Sequence, residues 1–168
     1  MMFRHFIGLS LLAASLLAAS AQSRADAPAA RVAVLARGLN ISHWFRFPSG
    51  NEAAALCCYL DDAAIASIRQ AGFTFVRLPV GPEEVMQGEH IVPAKRAAIL
   101  SAIGRLEGAG LAVLVDPNPE RVGDWQLDRN SEARAKLVGF WNDLAPALKS
   151  LPPGLTFPEL VNLSLIHI

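Results

Sequence analysis

The chain has 168 residues, a length that suits one domain, and 52% of its residues are hydrophobic while 18% are charged. This composition is typical of a packed core and excludes a disordered chain. With 15 basic and 15 acidic residues the formal net charge is zero, so no nucleic-acid or membrane-surface partner is indicated. A neutral substrate such as a sugar polymer is compatible with this balance.

The N-terminus has the parts of a secretory signal peptide. Arg4 and His5 precede the apolar run from Phe6 to Ala19, and Ala19-Ser20-Ala21 offers a small-x-small cleavage site. The run is short for a membrane span. We therefore expect residues 1–21 to be a signal peptide and the mature protein to be secreted or periplasmic, with no membrane segment after cleavage. An uncleaved N-terminal anchor is the alternative. Residues 22–33, which are rich in Ala and include Asp26 and Pro28, are predicted to be a linker.

The two cysteines, Cys57 and Cys58, are neighbours in the sequence. Adjacent Cα atoms lie closer together than an ordinary disulfide requires. The pair therefore predicts no disulfide framework and no metal site. We interpret both as small, partly buried loop residues, and a redox role is the alternative.

Predicted strands and helices alternate along the rest of the chain. The strands are residues 38–41, 73–80, 111–115 and 156–162, and the helices are residues 62–71, 93–107 and 131–148. Apolar residues at helical spacing indicate the helices, and Gly72, Gly110 and Pro152-Pro153-Gly154 indicate where they end. The alternation implies βαβ units and a parallel sheet, either an open doubly wound sheet or a (β/α)8 barrel. No glycine-rich phosphate loop follows a strand, so nucleotide binding has no support.

Polar or aromatic residues stand at the carboxyl ends of the predicted strands, where both architectures place their ligand site. They are Asn40, Ser42, His43, Trp44, Arg77, Asp116, Asn118 and Asn162. Arg77 lies within an apolar strand and must find a carboxylate or several hydrogen-bond acceptors, because an unpaired buried charge is costly. It either holds an active-site carboxylate in place or forms a structural ion pair between strands.

Four segments, in this order, resemble the first four strands of glycoside hydrolase family 5, the cellulase-type family. They are RGLNISHWF at 37–45, IRQAGFTFVRLPV at 68–80, GLAVLVDPN at 110–118 and LTFPELVN at 155–162. The most specific piece is Gly-Phe-x-x-Val-Arg-x-Pro. The resemblance covers residues 34–162 and implies an incomplete (β/α)8 TIM barrel of about the first four βα units. It also implies a retaining β-glycosidase that hydrolyses O-glycosidic bonds in polysaccharide, with β-glucan as the expected substrate and no cofactor or metal.

The catalytic residues of that family are two glutamates, an acid/base and a nucleophile. The family's acid/base directly follows an asparagine at the end of the fourth strand. Asn162 matches this asparagine, but Leu163 stands where the glutamate is expected. The nucleophile belongs to the seventh strand, for which this chain has no counterpart. The resemblance thus implies no catalytic residue here and gives Arg77 and Asn162 supporting roles.

The same resemblance implies three substrate-binding residues, His43, Trp44 and Asn118. Asn118 takes the place of a histidine that lines the family's sugar site. Trp44 either stacks on a sugar ring or packs beneath the barrel rim.

The match stops at Asn162, and the apolar residues 163–168 are interpreted as a non-native tail on a truncated gene. A natural C-terminus of a divergent protein is the alternative. Four strands cannot close an eight-stranded barrel. We therefore expect a fragment of a secreted, endoglucanase-like enzyme that is marginally stable, aggregation-prone or dependent on a partner. Because both catalytic glutamates are missing, we also expect the fragment to be inactive. The alternative function is a non-catalytic periplasmic α/β sugar-binding module.

Overall fold

The structure, a computed structural model, describes residues 28–50, 52–119 and 125–161. The predicted signal peptide, Asn162 and the predicted tail lie outside the described residues. The strands are β1 (Gly38–Asn40), β2 (Phe75–Val80), β3 (Met86–Gln87), β4 (His90–Ile91), β5 (Ala112–Pro117) and β6 (Thr156–Pro158). The helices are α1 (Ala29–Ala33), α2 (Ala53–Leu56), α3 (Asp62–Gln70), α4 (Pro82–Val85), α5 (Pro93–Gly108) and α6 (Ser131–Leu148).

The helix starts and stops follow local chemistry that the sequence displays. The Asp61 carboxylate accepts the Ala64 N–H at 2.7 Å at the start of α3, and the Asn130 side chain accepts the Glu132 and Ala133 N–H groups at the start of α6. Glycines with positive φ follow two helices, Gly72 at 91° and Gly110 at 79°. The predicted starts at Asp61–Asp62 and Asn130–Ser131 are confirmed, and so are the stops at these two glycines.

The main sheet has four parallel strands in the order β1-β2-β5-β6. Each strand therefore pairs with the main-sheet strand that precedes it in the chain. A doubly wound sheet reverses its strand order at a switch point, whereas a (β/α)8 barrel adds strands in one direction. The order identifies the sheet as part of a barrel, and the doubly wound alternative is wrong.

The two faces of this sheet differ in burial. The face that carries Val76, Leu78, Val113 and Val115 is fully buried, in one core cluster with side chains of α3, α5 and α6. The opposite face carries Phe75, Arg77, Leu114 and Phe157, which are only partly buried. A closed barrel fills this second face with side chains. The sheet thus has a finished outer face and an incomplete inner face.

A small hairpin, β3–β4, lies between α4 and α5 and packs on α6. Gly139 of α6 makes this possible, because a Cβ there would overlap the carbonyl oxygen of Glu89. The Asp143 carboxylate accepts the Ile91 N–H at 2.8 Å, and the Arg96 guanidinium donates to the Asp143 carbonyl at 3.3 Å. The sequence did not predict this hairpin, because its two-residue strands show no alternating pattern.

Other departures from the predicted elements are also short. The strand expected at 156–162 is β6 and ends at Pro158, and β2 begins at Phe75 instead of residue 73. The short helices α2 and α4 were not predicted, since four residues are too few for a helical period. In the part of the predicted linker that is described, residues 29–33 form α1. None of the helices among the described residues is long and apolar enough to cross a membrane.

The N-terminal helix reaches the far edge of the sheet. Although α1 precedes β1, the Arg31 guanidinium donates to the Thr156 carbonyl oxygen of β6 at 3.4 Å. The same guanidinium lies 4.7 Å from the centroid of the Phe157 ring. The N-terminal segment therefore contacts the last strand of the sheet.

Cys57 and Cys58 form a disulfide between adjacent residues, with their Cα atoms 3.8 Å apart. The expectation of two unlinked thiols is wrong. Both lie between α2 and α3, outside any helix or strand, as predicted. The predicted partial burial is confirmed for Cys57 but is wrong for Cys58, which is exposed.

Candidate functional site

The centre of the candidate site is Arg77 on β2. Its Nε and Nη2 atoms donate to the two carboxylate oxygens of Glu159, both at 2.9 Å, and Nη2 lies 2.7 Å from Asp116 Oδ2. Asp116 belongs to β5, and Glu159 follows β6 directly. The two-point arrangement with Glu159 is the strongest geometry open to an arginine–carboxylate pair. One guanidinium thus connects three strands at their carboxyl ends.

The electrostatic surroundings of Arg77 favour its charged form. The hydrogen bond that Arg77 donates to Glu159 raises the pKa of Arg77, and the charges of Asp116 and Glu159 act in the same direction against the cost of burial. The Arg77 side chain is 24% exposed, so it is not sealed in the core. Both functions expected for Arg77 from the sequence involve a carboxylate partner, and the structure shows the ion pair between strands.

Asp116 and Asn118 form the buried side of this cluster. Asp116 has no exposed surface and Asn118 is 1% exposed. Asn118 Nδ2 donates to Asp116 Oδ2 at 2.9 Å, and the Asn118 backbone N–H donates to the Val80 carbonyl at 2.8 Å. Burial raises the pKa of Asp116 to about 6, although the Asn118 hydrogen bond and the Arg77 charge oppose the shift.

The predicted substrate contact of Asn118 therefore needs correction. Its amide faces Asp116 and has almost no exposed surface, so in this structure Asn118 supports a neighbouring side chain and does not present itself to a ligand.

Trp44 and His43 lie in the loop after β1, and the structure separates their roles. Trp44 is fully buried, donates its indole N–H to the Leu56 carbonyl at 2.7 Å and stacks on Phe45. A buried ring offers no face to a sugar, so the predicted stacking is wrong and the packing alternative holds. His43 is exposed and lies 3.3 Å, through Nδ1, from the Phe47 carbonyl oxygen. Its substrate contact stays a prediction, and Asn162 lies outside the described residues.

Two residues near Arg77 were missed by the sequence interpretation. Glu159 lies within the LTFPELVN segment, inside the strand predicted for residues 156–162, and its single charge gave no signal of its own. Arg46 follows β1, donates to the Pro119 carbonyl at 3.4 Å, and its buried Nε has no hydrogen-bond partner among the described residues. Its charge acts on Asp116.

A cavity of about 330 Å³ lies apart from this cluster, between the hairpin and the first turns of α6. Its lining residues are Pro82, Glu83, Met86, Gly88, Trp125, Glu132 and Lys136. The Lys136 ammonium lies 2.7 Å from the Glu132 carboxylate, and this contact lowers the pKa of Glu132. Within residues 28–50, 52–119 and 125–161, no three His, Cys, Asp or Glu side chains meet in a way that could hold a metal ion.

Comparison with known proteins gives structural matches only. No protein-family model and no curated protein matches the chain. A family 5 lichenase from Caldicellulosiruptor sp. F32 matches with a TM-score of 0.64 and 16% identity, over 82% of this chain and 40% of that one. A broad-specificity endoglucanase from Bacteroides salanitronis matches with a TM-score of 0.61 and 22% identity, over 78% and 39%. Thermotoga maritima Cel5A, solved in complex with cellobiose, matches with a TM-score of 0.62 and 21% identity, over 79% and 42%.

The fold of the chain matches part of the (β/α)8 barrel of these family 5 glycoside hydrolase structures. It spans about two fifths of the length of the structures that it matches. The resemblance inferred from the sequence is confirmed at the level of the fold, and so is the incomplete barrel.

Proposed function

We propose that the chain is part of a secreted retaining β-glycosidase, endoglucanase-like, that hydrolyses β-glucan, and that these 168 residues alone are inactive. The observation that carries the proposal is Arg77, held by two carboxylates at the carboxyl end of a parallel sheet with the family 5 barrel order. Catalytic residues of barrel enzymes stand at that end of the strands. Cellobiose and cellotetraose, bound in matched structures, are products or pieces of β-glucans and support this substrate class.

The expected chemistry needs two carboxyl groups about 5 Å apart, one to protonate the leaving oxygen and one to attack the anomeric carbon. Arg77 has the properties of a group that steadies one of them. Its Nε and Nη2 are committed to Glu159 and Asp116, and Nη1 has no bond to any described residue. A carboxylate from another strand would be stabilised as an anion by that remaining N–H edge.

The first experiment assays the 168-residue chain on soluble β-glucan and carboxymethyl cellulose. We expect no turnover. Turnover that survives purification and disappears when Glu159 or another glutamate of the chain is replaced contradicts the proposal.

The second experiment reads the DNA beyond the codon for Asn162 in the source genome. We expect codons for Glu and Pro in frame, followed by further strand and helix segments. A stop codon in an intact locus favours the sugar-binding module instead, and binding of cellotetraose without hydrolysis would establish it.

The third experiment uses the enzyme encoded by such a longer frame. The sugar product released first should keep the β configuration, which NMR of the anomeric proton detects. Arg77→Lys keeps the charge but loses the planar fork, and we expect kcat to fall roughly a hundredfold. The matched control is Arg69→Lys on the surface of α3, where the guanidinium donates to the Phe73 carbonyl oxygen, and activity should be retained.

A further inference from the structure

Two buried oxygen atoms beside Arg77 lack hydrogen bonds. They are Asp116 Oδ1 and Asn118 Oδ1, and neither has a partner among the described residues. The same two side chains are joined through their other atoms, Asn118 Nδ2 to Asp116 Oδ2 at 2.9 Å. Buried polar atoms are almost always paired, so two unpaired acceptors on one bonded pair of side chains require an explanation.

The chemistry of the pair supplies one. A carboxylate and an amide oxygen are both acceptors and cannot bond to each other, whereas a carboxylic acid has one O–H donor and can pair with a primary amide at both ends. We infer that Asp116 carries a proton on Oδ1 and donates it to Asn118 Oδ1, so that the two side chains form an acid–amide pair that holds Arg77 through a neutral oxygen. Asp116 Oδ2 then remains the acceptor for both Asn118 Nδ2 and Arg77 Nη2.

Three charged groups face Asp116: the Arg77 and Arg46 guanidinium groups favour its ionised form, and the Glu159 carboxylate favours its neutral form. Arg77 approaches from β2 at 2.7 Å, but its Nε and Nη2 already bond to both oxygens of Glu159, which follows β6. Arg46 acts from the loop after β1, and its charge favours the ionised form. With Asp116 ionised, the single positive charge of Arg77 faces two negatively charged carboxylates. With Asp116 neutral, Arg77 and Glu159 form a balanced ion pair.

Complete burial favours the protonated, neutral form of the Asp116 carboxyl group. The Asp116 side chain has no exposed surface, and desolvation raises its pKa to about 6. A carboxyl whose pKa is higher in the folded state binds its proton more tightly there than in the unfolded chain. The contribution of Asp116 to stability is therefore present below its ordinary pKa, declines as the pH rises through about 6, and is constant above that value.

The inference concerns a group that touches no catalytic atom, so Asp116 is a positioning residue for Arg77. Its consequence for catalysis rests on the proposed function: below about pH 6, a neutral Asp116 leaves the Arg77 charge available to a carboxylate of the completed barrel. The acid–amide pair can be tested by stability and infrared measurements that need no enzymatic activity. A result that contradicts the pair is therefore distinguishable from a result that contradicts the proposed function.

The decisive variants are Asp116→Asn and Glu159→Gln, which make the same carboxylate-to-amide change on the two partners of Arg77. Asparagine at 116 copies the protonated acid, with an N–H for Asn118 Oδ1 and an oxygen for Arg77 and Asn118. We expect Asp116→Asn to be at least as stable as the wild type in urea unfolding at pH 8. Glutamine at 159 offers one acceptor to two N–H donors, and we expect Glu159→Gln to be destabilised at every pH.

The pH dependence of the free energy of unfolding gives the size of the effect expected from the Asp116 proton. One proton taken up on folding changes the unfolding constant by up to about tenfold per pH unit. We expect the wild type to show this excess slope between pH 4 and 6 and Asp116→Asn to lack it. Comparing these two proteins cancels the other buried carboxyl, Glu107, which both contain.

Infrared difference spectra between pH 5 and pH 7 provide a measurement that needs no reversible unfolding. We expect the carbonyl band of protonated carboxyl groups to be weaker in Asp116→Asn than in the wild type, because the buried Glu107 is present in both proteins. The inference is overturned if the wild type lacks this band, if the band is equally strong in the two proteins, or if Asp116→Asn loses as much stability at pH 8 as Glu159→Gln.

Discussion

The indole N–H of Trp44 donates a 2.7 Å hydrogen bond to the carbonyl oxygen of Leu56, and both residues are almost fully buried. This contact fixes the segment after β1 to the end of α2. Trp44→Phe keeps an aromatic ring but removes the donor, which leaves a buried carbonyl without its partner. We expect a loss of about 1–2 kcal/mol in the free energy of unfolding, measured in urea.

Tyr59→Phe is the control for Trp44→Phe. Tyr59 packs against the Trp44 ring but is 44% exposed, so water can replace any bond of its hydroxyl. Equal stability of the Trp44→Phe protein and the wild type would contradict the assignment of Trp44 to packing.

We expect any substitution of Gly139 that adds a side chain to destabilise the protein. A Cβ at this position would overlap the Glu89 carbonyl oxygen, a backbone atom of the hairpin. We therefore expect Gly139→Ala to cost about 1–3 kcal/mol, because the hairpin must move away from α6. Circular dichroism during thermal unfolding measures the change.

Gly104 of α5 is the matched control for Gly139, since it is also a glycine inside a helix. A Cβ there meets no atom within 4 Å. Gly104→Ala should raise stability by about 0.5–1 kcal/mol through helix propensity alone. If both alanine variants change stability in the same direction, the close contact of α6 with the hairpin is wrong.

The Thr156 hydroxyl of β6 donates to Glu107 Oε1 of α5 at 2.6 Å, in a buried position. Burial raises the pKa of Glu107, and this hydrogen bond opposes the shift. Thr156→Val removes the donor and should destabilise by roughly 1.5–3 kcal/mol where Glu107 is ionised, and by less at low pH where it is neutral. Thr156→Ser keeps the hydroxyl and serves as the control. A cost that is the same at pH 4 and pH 8 would argue against a charged acceptor.

Reduction of the disulfide between Cys57 and Cys58 should change stability very little. A cross-link stabilises mainly by restricting the unfolded chain, and a link between adjacent residues closes almost no loop. We expect a Tm change well below that of an ordinary disulfide, measured with and without a phosphine reductant. Mass spectrometry after alkylation verifies the redox state, and the double variant Cys57→Ser/Cys58→Ser should behave like the reduced protein.

The sequence was sufficient to predict the alternating strands and helices and the helix starts that carry a capping residue. Asp61 and Asn130 are residue types that favour helix starts, and continuous apolar strands between helices indicate a parallel sheet. These local signals, together with the ordered resemblance, were enough for the barrel.

Burial and pairing between distant residues could not be predicted in the same way. Trp44 follows a strand, as a ligand-binding aromatic would, and only the position of Leu56 shows that its ring faces inward. Glu159 meets Arg77 across 82 positions of the chain, a contact that no local pattern encodes. The unpaired oxygens of Asp116 and Asn118 are likewise a property of the folded arrangement.

The contact of Arg31 with β6 has a practical consequence for expression of the protein. Cutting the gene at the predicted linker boundary, after residue 33, would delete the guanidinium that lies on the Thr156 carbonyl and the Phe157 ring. The Thr156 carbonyl of β6 would then lose this donor and lie open to backbone N–H groups of neighbouring molecules, which is a route to aggregation. A vector that begins at or before Pro28 keeps the Arg31 contact, and its product should stay in solution at concentrations where the shorter version precipitates.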